Sequence, residues 1–223
     1  MSASHAKVKP ELEFLAQIDV GPDRKTFLNC MQCGTCSGSC PLGDVMEYPP
    51  RQMILNARSG CLDDVLKSPS LWMCIGCYTC SDRCPRGIEL TDGLWPAMRD
   101  KAMQNGVQPP AELQDAFQNV FKYGNSLGES PRKRMAWADK LDVPVRDLSK
   151  EPTAVDVLWL VCDYPAYYPR NRVVTRAFAR ILTALGVRCG VLGNKERTIG
   201  DCDRLFGEEG LFESLVEYNR ELL

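Results

Sequence analysis

Two short segments of the sequence concentrate thiols, the side chains that bind soft metals. The first, CMQCGTCSGSCP, covers residues 30–41, and the second, CIGCYTCSDRCP, covers residues 74–85. Each has the spacing C-x2-C-x2-C-x3-C followed by proline, and we call them the first and second cysteine box. Their cysteines are Cys30, Cys33, Cys36, Cys40, Cys74, Cys77, Cys80 and Cys84. Thiols this close in sequence are poor partners for disulfides across a domain and good ligands for a metal centre.

The composition indicates that any metal or redox chemistry of this chain uses cysteine sulfur. The chain has 223 residues, a net charge of −2 and twelve cysteines, but only one histidine, His5. This scarcity disfavours His-ligated zinc, haem and Rieske centres and removes the commonest general base. The near-neutral charge gives no reason to expect a nucleic-acid partner, and no apolar run reaches the roughly 20 residues of a membrane helix. Because the N-terminus has no apolar signal region, we expect a soluble protein without direct membrane insertion.

The box spacing is typical of bacterial ferredoxins that carry two [4Fe–4S] clusters. In that arrangement the first three cysteines of a box bind one cluster, and the fourth binds the other. The expected ligands are Cys30, Cys33, Cys36 and Cys84 for the first cluster, and Cys74, Cys77, Cys80 and Cys40 for the second. Such a carrier needs no catalytic residue, and we expect none. Zinc and a disulfide scaffold remain alternatives, although zinc sites usually pair two C-x2-C knuckles at a longer separation.

The periodicity of the remaining segments predicts a mainly α fold with strands only towards the C-terminus. The segments with helical spacing are residues 50–60, 62–68, 90–106, 111–125, 131–141, 170–186 and 201–223. The β-branched, apolar segments 155–162 and 187–193 are typical of buried strands. We therefore divide the chain into an N-terminal leader (1–20), a ferredoxin domain (21–108), a helical connector (109–152) and a small β-α-β-α unit (153–223).

The helical spacer between the boxes resembles that of the α-helical ferredoxin domain, because the boxes begin 44 residues apart, at Cys30 and Cys74. This family occurs in the iron–sulfur subunits of succinate dehydrogenase and fumarate reductase. It also occurs in the C-type subunits of anaerobic glycerol-3-phosphate dehydrogenase and of heterodisulfide reductase. The segments NCMQCGTCSGSCP and LWMCIGCYTCSDRCPRGIEL resemble the C-type subunit of heterodisulfide reductase most.

The C-terminal region resembles the opening of a cysteine-rich CCG domain, which builds the catalytic non-cubane cluster in the B-type subunit of heterodisulfide reductase. Cys162 matches that family's first cysteine, but residues 198–200 read Thr-Ile-Gly where the family has Cys-Cys-Gly. Cys189 and Cys202 do not restore the pattern. We therefore expect a degenerate half of a CCG domain that serves packing, with Cys162, Cys189 and Cys202, like Cys61, as structural cysteines.

The resemblance implies an iron–sulfur electron-transfer subunit of a heterodisulfide reductase-like complex, possessing two [4Fe–4S] clusters. It would relay electrons between a flavin/iron–sulfur subunit of the A type and a catalytic CCG-domain subunit of the B type. The degenerate C-terminal half favours complexes of sulfur oxidation, and thiolate-bound clusters favour the cytoplasm. The alternatives are a truncated catalytic CCG-type disulfide reductase and a ferredoxin-type subunit of a quinone-linked dehydrogenase.

Overall fold

The structure is a computed structural model that describes residues 27–222, without the side chain of Phe27. The predicted leader, residues 1–20, lies outside the described residues. The predicted mainly α fold is confirmed. The α-helices are α1 (Thr35–Gly38), α2 (Pro50–Arg58), α3 (Leu62–Lys67), α4 (Thr79–Asp82), α5 (Trp95–Gln104), α6 (Ala111–Tyr123), α7 (Asp163–Tyr167), α8 (Pro169–Ala184), α9 (Asp201–Leu205) and α10 (Glu209–Leu222).

Several shorter elements complete the described chain. The 3-10 helices cover Phe27–Asn29, Pro69–Trp72, Pro131–Trp137 and Gly193–Lys195, and a π-helical turn covers Leu90–Leu94. The strands are β1 (Arg146–Asp147), β2 (Val157–Leu158) and β3 (Cys189–Val191). No helix within residues 27–222 combines the length and the apolar content that crossing a membrane requires.

The chain forms two compact units. The first unit contains the described residues up to Pro110 together with Cys202–Glu209. The second unit contains Ala111–Asp201 and the residues from Gly210 onward. The four domain boundaries that the sequence suggests stay predictions.

The first unit is built from helices around one apolar core. Proline lies in the first turn of both α2 and α5, where its missing N–H costs no hydrogen bond. Met53 and Ile54 of α2 and Trp95 of α5 are buried in this core. The predicted helix over 90–106 starts instead as the π-helical turn and becomes regular at Trp95. The predicted helix over 201–223 is broken at Gly207, whose φ of 93° is the left-handed region that favours glycine.

The second unit contains a three-stranded parallel sheet with strand order β1–β3–β2. The sequence predicts β2 and β3, though longer than the observed strands, and misses β1, which comes from the segment expected to be a helical connector. In the same segment, residues 131–137 form a 3-10 helix where an α-helix is predicted. The central strand requires Gly190, because a Cβ there would come within 2.7 Å of the Leu148 side chain.

Aromatic side chains fill the core of the second unit. Trp137 is completely buried, and its ring centroid lies 5.4 Å from that of Trp159. The Trp159 ring in turn meets Phe178 of α8 edge to face, with centroids 5.0 Å apart. These contacts attach α8 to the segment that follows β2 and to the 3-10 helix at 131–137.

A buried ion network holds the loops of the second unit together. Arg134 donates to Asp163 at 2.9 Å and to Glu196 at 3.0 Å, and all three side chains are almost fully buried. Glu196 also accepts from the backbone N–H groups of Val161 and Cys162, at 3.1 and 2.8 Å. Burial raises the pKa of Glu196 above its ordinary value, although Arg134 opposes the shift. Removing the guanidinium would therefore leave two buried carboxylates without a counter-charge.

We expect Arg134→Ala to lower the free energy of unfolding of the second unit by about 3–5 kcal/mol, because two buried carboxylates lose their counter-charge. Urea titration followed by tryptophan fluorescence would measure the change. Arg180→Ala is the matched control: its ion pair with Asp142 is exposed to solvent, so its loss should leave the urea midpoint nearly unchanged. Equal losses in the two variants would contradict the network's role.

Candidate metal centre

The backbone of the two cysteine boxes follows the same path. Between the first two cysteines, Gln32 and Gly76 have φ values of 58° and 64°. Between the second and third, Gly34 and Tyr78 have φ values of 84° and 62°. Each loop then enters a one-turn helix, α1 or α4. Left-handed residues in a loop of this kind can turn backbone N–H groups to one side, where they bind an anion.

A serine after the third cysteine of each box anchors the next helical segment. The Ser37 hydroxyl accepts a hydrogen bond from the N–H of Arg51, at the start of α2, at 2.8 Å. The Ser81 hydroxyl accepts from the N–H groups of Leu90 and Thr91 at 3.1 and 3.0 Å. Both boxes are thereby fixed to a helical segment that also forms part of the site.

A threonine in each box supports an exposed thiol. Cys33 Sγ lies 3.3 Å from Thr35 Oγ1, and Cys77 Sγ lies 3.5 Å from Thr79 Oγ1. Hydrogen bonding to the threonine lowers the pKa of Cys33 and of Cys77. These two thiols therefore ionise more readily than an ordinary cysteine, and a metal binds the thiolate form.

The third cysteine of each box is buried, and its pKa is shifted upward, opposite to the shift of the exposed thiols. Burial raises the pKa of Cys36 to about 11 and also raises the pKa of Cys80. The neighbouring thiols contribute to both shifts, because an additional negative charge beside them is unfavourable. Ionising these two thiols at neutral pH therefore requires a cationic partner.

The structure arranges the eight box thiols as two sets of four, each around its own cavity. One cavity is lined by Cys30, Cys33, Cys36 and Cys84. The other is lined by Cys74, Cys77, Cys80 and Cys40. Each cavity thus takes three thiols from one box and the fourth from the other. Their role as cluster ligands stays a prediction.

Neighbouring residues separate the two cavities. On α2, Ile54 faces the first cavity and Met53 the second, and in the π-helical turn Leu90 faces the first and Thr91 the second. The walls are otherwise mostly apolar, with one difference in charge. Two arginines, Arg51 and Arg86, border the first cavity, whereas no charged residue among those described borders the second.

The side chains that line each cavity are of the type that binds a [4Fe–4S] cluster. Within residues 27–222, no group of three Cys, His, Asp or Glu side chains is arranged to hold a single metal ion. A [4Fe–4S] cluster makes a different demand, since four thiolates surround a larger body. Four thiols around a mostly apolar cavity match that requirement in number and in type. All twelve cysteines are free, so no disulfide competes for them.

The sequence interpretation missed three polar side chains that touch the boxes. Gln32 donates to Cys30 Sγ from both its backbone and its side-chain amide, each at 3.4 Å. Arg58 donates to the Cys30 carbonyl. Arg99 is buried beside Cys74: burial lowers the pKa of Arg99, and the Cys74 thiol opposes that shift. The sequence Thr-Cys-Ser occurs in both boxes, and this repeat could have identified the threonines beside the thiols. Gln32, Arg58 and Arg99 belong to no such repeat, so the sequence did not indicate them.

The other cysteines lie outside both cavities. Cys61 precedes α3, and Cys162 and Cys189 belong to the second unit. Cys162 has φ 61°, and its N–H is bound by the buried Glu196. In the segment 198–200, the glycine has φ 81°, and a Cβ there would come within 2.9 Å of Leu215. That glycine is required by backbone geometry, independently of any thiol.

Comparison with known proteins agrees with this chemistry. Residues 26–88 match the family model of a 4Fe-4S dicluster domain. The chain is 37% identical over 133 residues to the C subunit of the ferredoxin:CoB-CoM heterodisulfide reductase of Methanosarcina mazei, covering 59% of this chain and 80% of that protein. It is 45% identical over 98 residues to the C subunit of the H(2):CoB-CoM heterodisulfide,ferredoxin reductase of Methanothermobacter thermautotrophicus, covering 44% and 52%.

A larger relative matches more of the chain. The chain is 29% identical over 187 residues to the probable iron-sulfur-binding oxidoreductase FadF of Bacillus subtilis, covering 82% of this chain and 25% of that protein. A match of that length must include most of the second unit. The chain spans about a quarter of the length of this relative and about half that of the Methanothermobacter protein.

We expect Thr35→Val and Thr79→Val to slow cluster assembly at neutral pH, with a defect that shrinks as the pH rises. Losing the hydroxyl raises the pKa of Cys33 or Cys77, so fewer molecules carry the thiolate at neutral pH, and this difference diminishes as the pH rises. We expect the initial rate at neutral pH to fall roughly twofold. The growth of visible absorbance during anaerobic reconstitution measures that rate. Thr153→Val, at an exposed threonine, is the control, and a pH-independent defect would contradict the explanation.

Proposed function

Since the chain belongs to the family of C-type iron–sulfur subunits of heterodisulfide reductase, we propose that it holds two [4Fe–4S] clusters and relays electrons inside a heterodisulfide reductase-like complex. The observation that carries the proposal is the arrangement of four thiols around each of two adjacent cavities. The proposed ligands are Cys30, Cys33, Cys36 and Cys84 for the first cluster, and Cys74, Cys77, Cys80 and Cys40 for the second.

The chain's own residues have a positioning role in this function. The bound clusters supply one-electron chemistry, and the surrounding hydrogen bonds, burial and charge set their potentials. One thiol of each set, Cys33 or Cys77, is exposed, and so is the adjacent apolar residue, Met31 or Ile75. Each cavity thus has its own opening to the protein surface. This geometry supports electron entry at one cavity and exit at the other, with the residues of α2 between them.

We assign the two openings to two partners, a flavin/iron–sulfur subunit of the A type and a CCG-domain subunit of the B type. The degenerate CCG-like region, residues 153–223, supports a place in complexes of sulfur oxidation. Its residues 198–200 offer backbone hydrogen bonds instead of paired thiols, since the Thr198 N–H donates to the Gly124 carbonyl at 2.9 Å. The thiolates of the boxes support a cytoplasmic location, where thiols stay reduced.

An exposed apolar stripe on α8 and the residue after it supports a protein partner at the second unit. Val174, Phe178, Ile181 and Leu185 recur at spacings of four, three and four residues, and between 43% and 71% of each is exposed. Such a stripe is the pattern of a helix that packs against another helix. The helix carries four arginines and no acidic residue, so the complementary surface is apolar with acidic flanks. We assign this face to the B-type subunit, because residues 153–223, which include α8, resemble half of the domain that builds the catalytic cluster of that subunit.

A second candidate is an electron-transfer region of a larger iron–sulfur oxidoreductase, such as a quinone-linked dehydrogenase. The observation that favours it is the match to the Bacillus subtilis oxidoreductase across most of both units. The two candidates share the clusters and differ in the partners. Identifying the associated proteins therefore distinguishes them.

Anaerobic affinity purification of the chain from its native source should yield about eight irons with equal acid-labile sulfide. We expect A-type and B-type subunits to co-purify, as identified by mass spectrometry. Stoichiometric zinc without iron would end the cluster proposal, and a quinone-linked dehydrogenase in place of these subunits would favour the second candidate.

Two variants make the purification specific for the α8 surface. Ile181→Asp should abolish co-purification of the B-type subunit and leave the iron content unchanged, since it places a charge in the exposed stripe. Phe121→Asp is the matched control, since Phe121 is 77% exposed on a different helix of the same unit. If the Ile181→Asp protein still retains the B-type subunit, the assignment of this face is wrong.

The crossed arrangement of ligands predicts which cluster each fourth cysteine serves. Cys84→Ser should perturb the EPR signal of the cluster bound by the first box, and Cys40→Ser that of the second, because each thiol lies in the other box's cavity. Cys61→Ser, outside both cavities, should leave both signals unchanged. Perturbation of its own box's cluster by each substitution would show that the ligands are not crossed.

A further inference from the structure

Arg99 is a buried cation without a carboxylate partner in the described part of the chain. Only 2% of this α5 residue is exposed. Its Nε donates to the Leu71 carbonyl at 2.9 Å, and its Nη1 donates to the Leu205 carbonyl. Its Nη2 is buried and has no hydrogen-bond partner among residues 27–222. Carbonyls satisfy part of its hydrogen-bonding capacity, but they carry no full negative charge.

The ionisable group nearest in charge effect to this guanidinium is a thiol that lines the second cavity. Among the described ionisable groups, the Cys74 thiol interacts with the Arg99 guanidinium by charge. The Leu71 carbonyl that Arg99 binds lies three residues before Cys74, and Trp95, one helical turn before Arg99, lines the same cavity as Cys74. Cys74 is the first thiol of the second box and lines the second cavity. A buried cation is tolerated where an anion compensates it. A thiolate-ligated cluster at Cys74 would supply that anion.

The segment Cys202–Glu209 holds Arg99 in this position from the other side. The Phe206 ring centroid lies 4.4 Å from the guanidinium carbon. Arg204 pairs with Asp92 at 2.9 Å, and Asp92 accepts a hydrogen bond from Tyr78 of the second box at 2.6 Å. Leu205 also approaches the box, because a Cβ at Gly76 would lie 3.5 Å from its side chain. The segment therefore contacts both the arginine and the loop that carries the thiols.

We propose that Arg99, positioned by the segment Cys202–Glu209, is the counter-charge of the second cluster and raises that cluster's reduction potential. This inference rests on the proposed function. A cation in a water-excluded site stabilises the more negative, reduced form of a cluster. Arg99 is thus a positioning and tuning residue that fixes how the electron is shared between the two clusters.

The first cavity provides the internal control. Its bordering arginines, Arg51 and Arg86, are exposed, so water and salt screen their charges. The described hydrogen bonds to Cys30 Sγ come from the neutral amides of Gln32. A change at Arg99 should therefore alter the second cluster and leave the first unchanged.

The test is an anaerobic, EPR-monitored redox titration of the full-length protein with Arg99→Gln, Arg99→Lys, Phe206→Leu and Arg51→Gln. We expect Arg99→Gln to lower the ratio of reduced to oxidised second cluster at least tenfold at a fixed solution potential, equivalent to about 59 mV for one electron. Arg99→Lys keeps the charge and should stay close to wild type. Phe206→Leu, which opens the guanidinium to water, should give a smaller shift of the same sign. Arg51→Gln should leave the second cluster unchanged.

Each result decides the question. Equal potentials of the second cluster in Arg99→Gln and Arg99→Lys, at full iron content, would overturn the inference and leave the proposed function intact. Failure of both variants to retain the second cluster, together with an unshifted potential in Phe206→Leu, would assign Arg99 a structural role and would also overturn it. Wild-type protein without iron would instead remove the proposed function itself.

Discussion

Four thiols around one cavity repel each other once they ionise to thiolates. The structure of the first unit reflects the unfavourable energy of this repulsion. Burial makes it larger, as the high pKa of Cys36 shows. The boxes counter it with local groups: left-handed residues that aim backbone N–H groups to one side, and threonines beside the exposed thiols. Serines then fix each loop to the next helical segment. Because these features occur in both boxes, the two sites are stabilised in the same way.

The sharing of thiols between the boxes has a consequence for electron transfer. A thiol from each box enters the other box's cavity, so neither loop forms a complete site alone. The same helix, α2, contributes Ile54 to the lining of one cavity and Met53 to the lining of the other, so the two sites share a wall of neighbouring residues. Such proximity favours rapid transfer of an electron between two carriers. Rigidity follows as well, because Met53 and Ile54 are also buried members of the core of this unit.

The sequence was sufficient wherever a feature depends on local spacing. The boxes, the start of α2 at Pro50 and the end of α8 before Gly186 all have local causes. Features that depend on contacts between distant residues could not be predicted from the sequence. β1 exists because Arg146 pairs with Gly190, and the break after α9 exists because Gly207 packs against the backbone of α5. Arg99 is the clearest case: its carbonyl partners are 28 and 106 residues away, and a helix pattern gives no reason to bury an arginine.

The C-terminal region, which by sequence resembles part of a CCG domain, need not bind a cluster to influence one. Where that family has paired cysteines, Thr198 ties the segment to Gly124 and accepts a hydrogen bond from Asn219 at 3.1 Å, so its described contacts are structural. The chain then continues directly into Cys202–Glu209, which packs within the first unit against Arg99 and the second box. The absence of cysteine at residues 198–199 is therefore compatible with an electrostatic role for the region. The C-terminal region contacts the second box through side chains other than thiols.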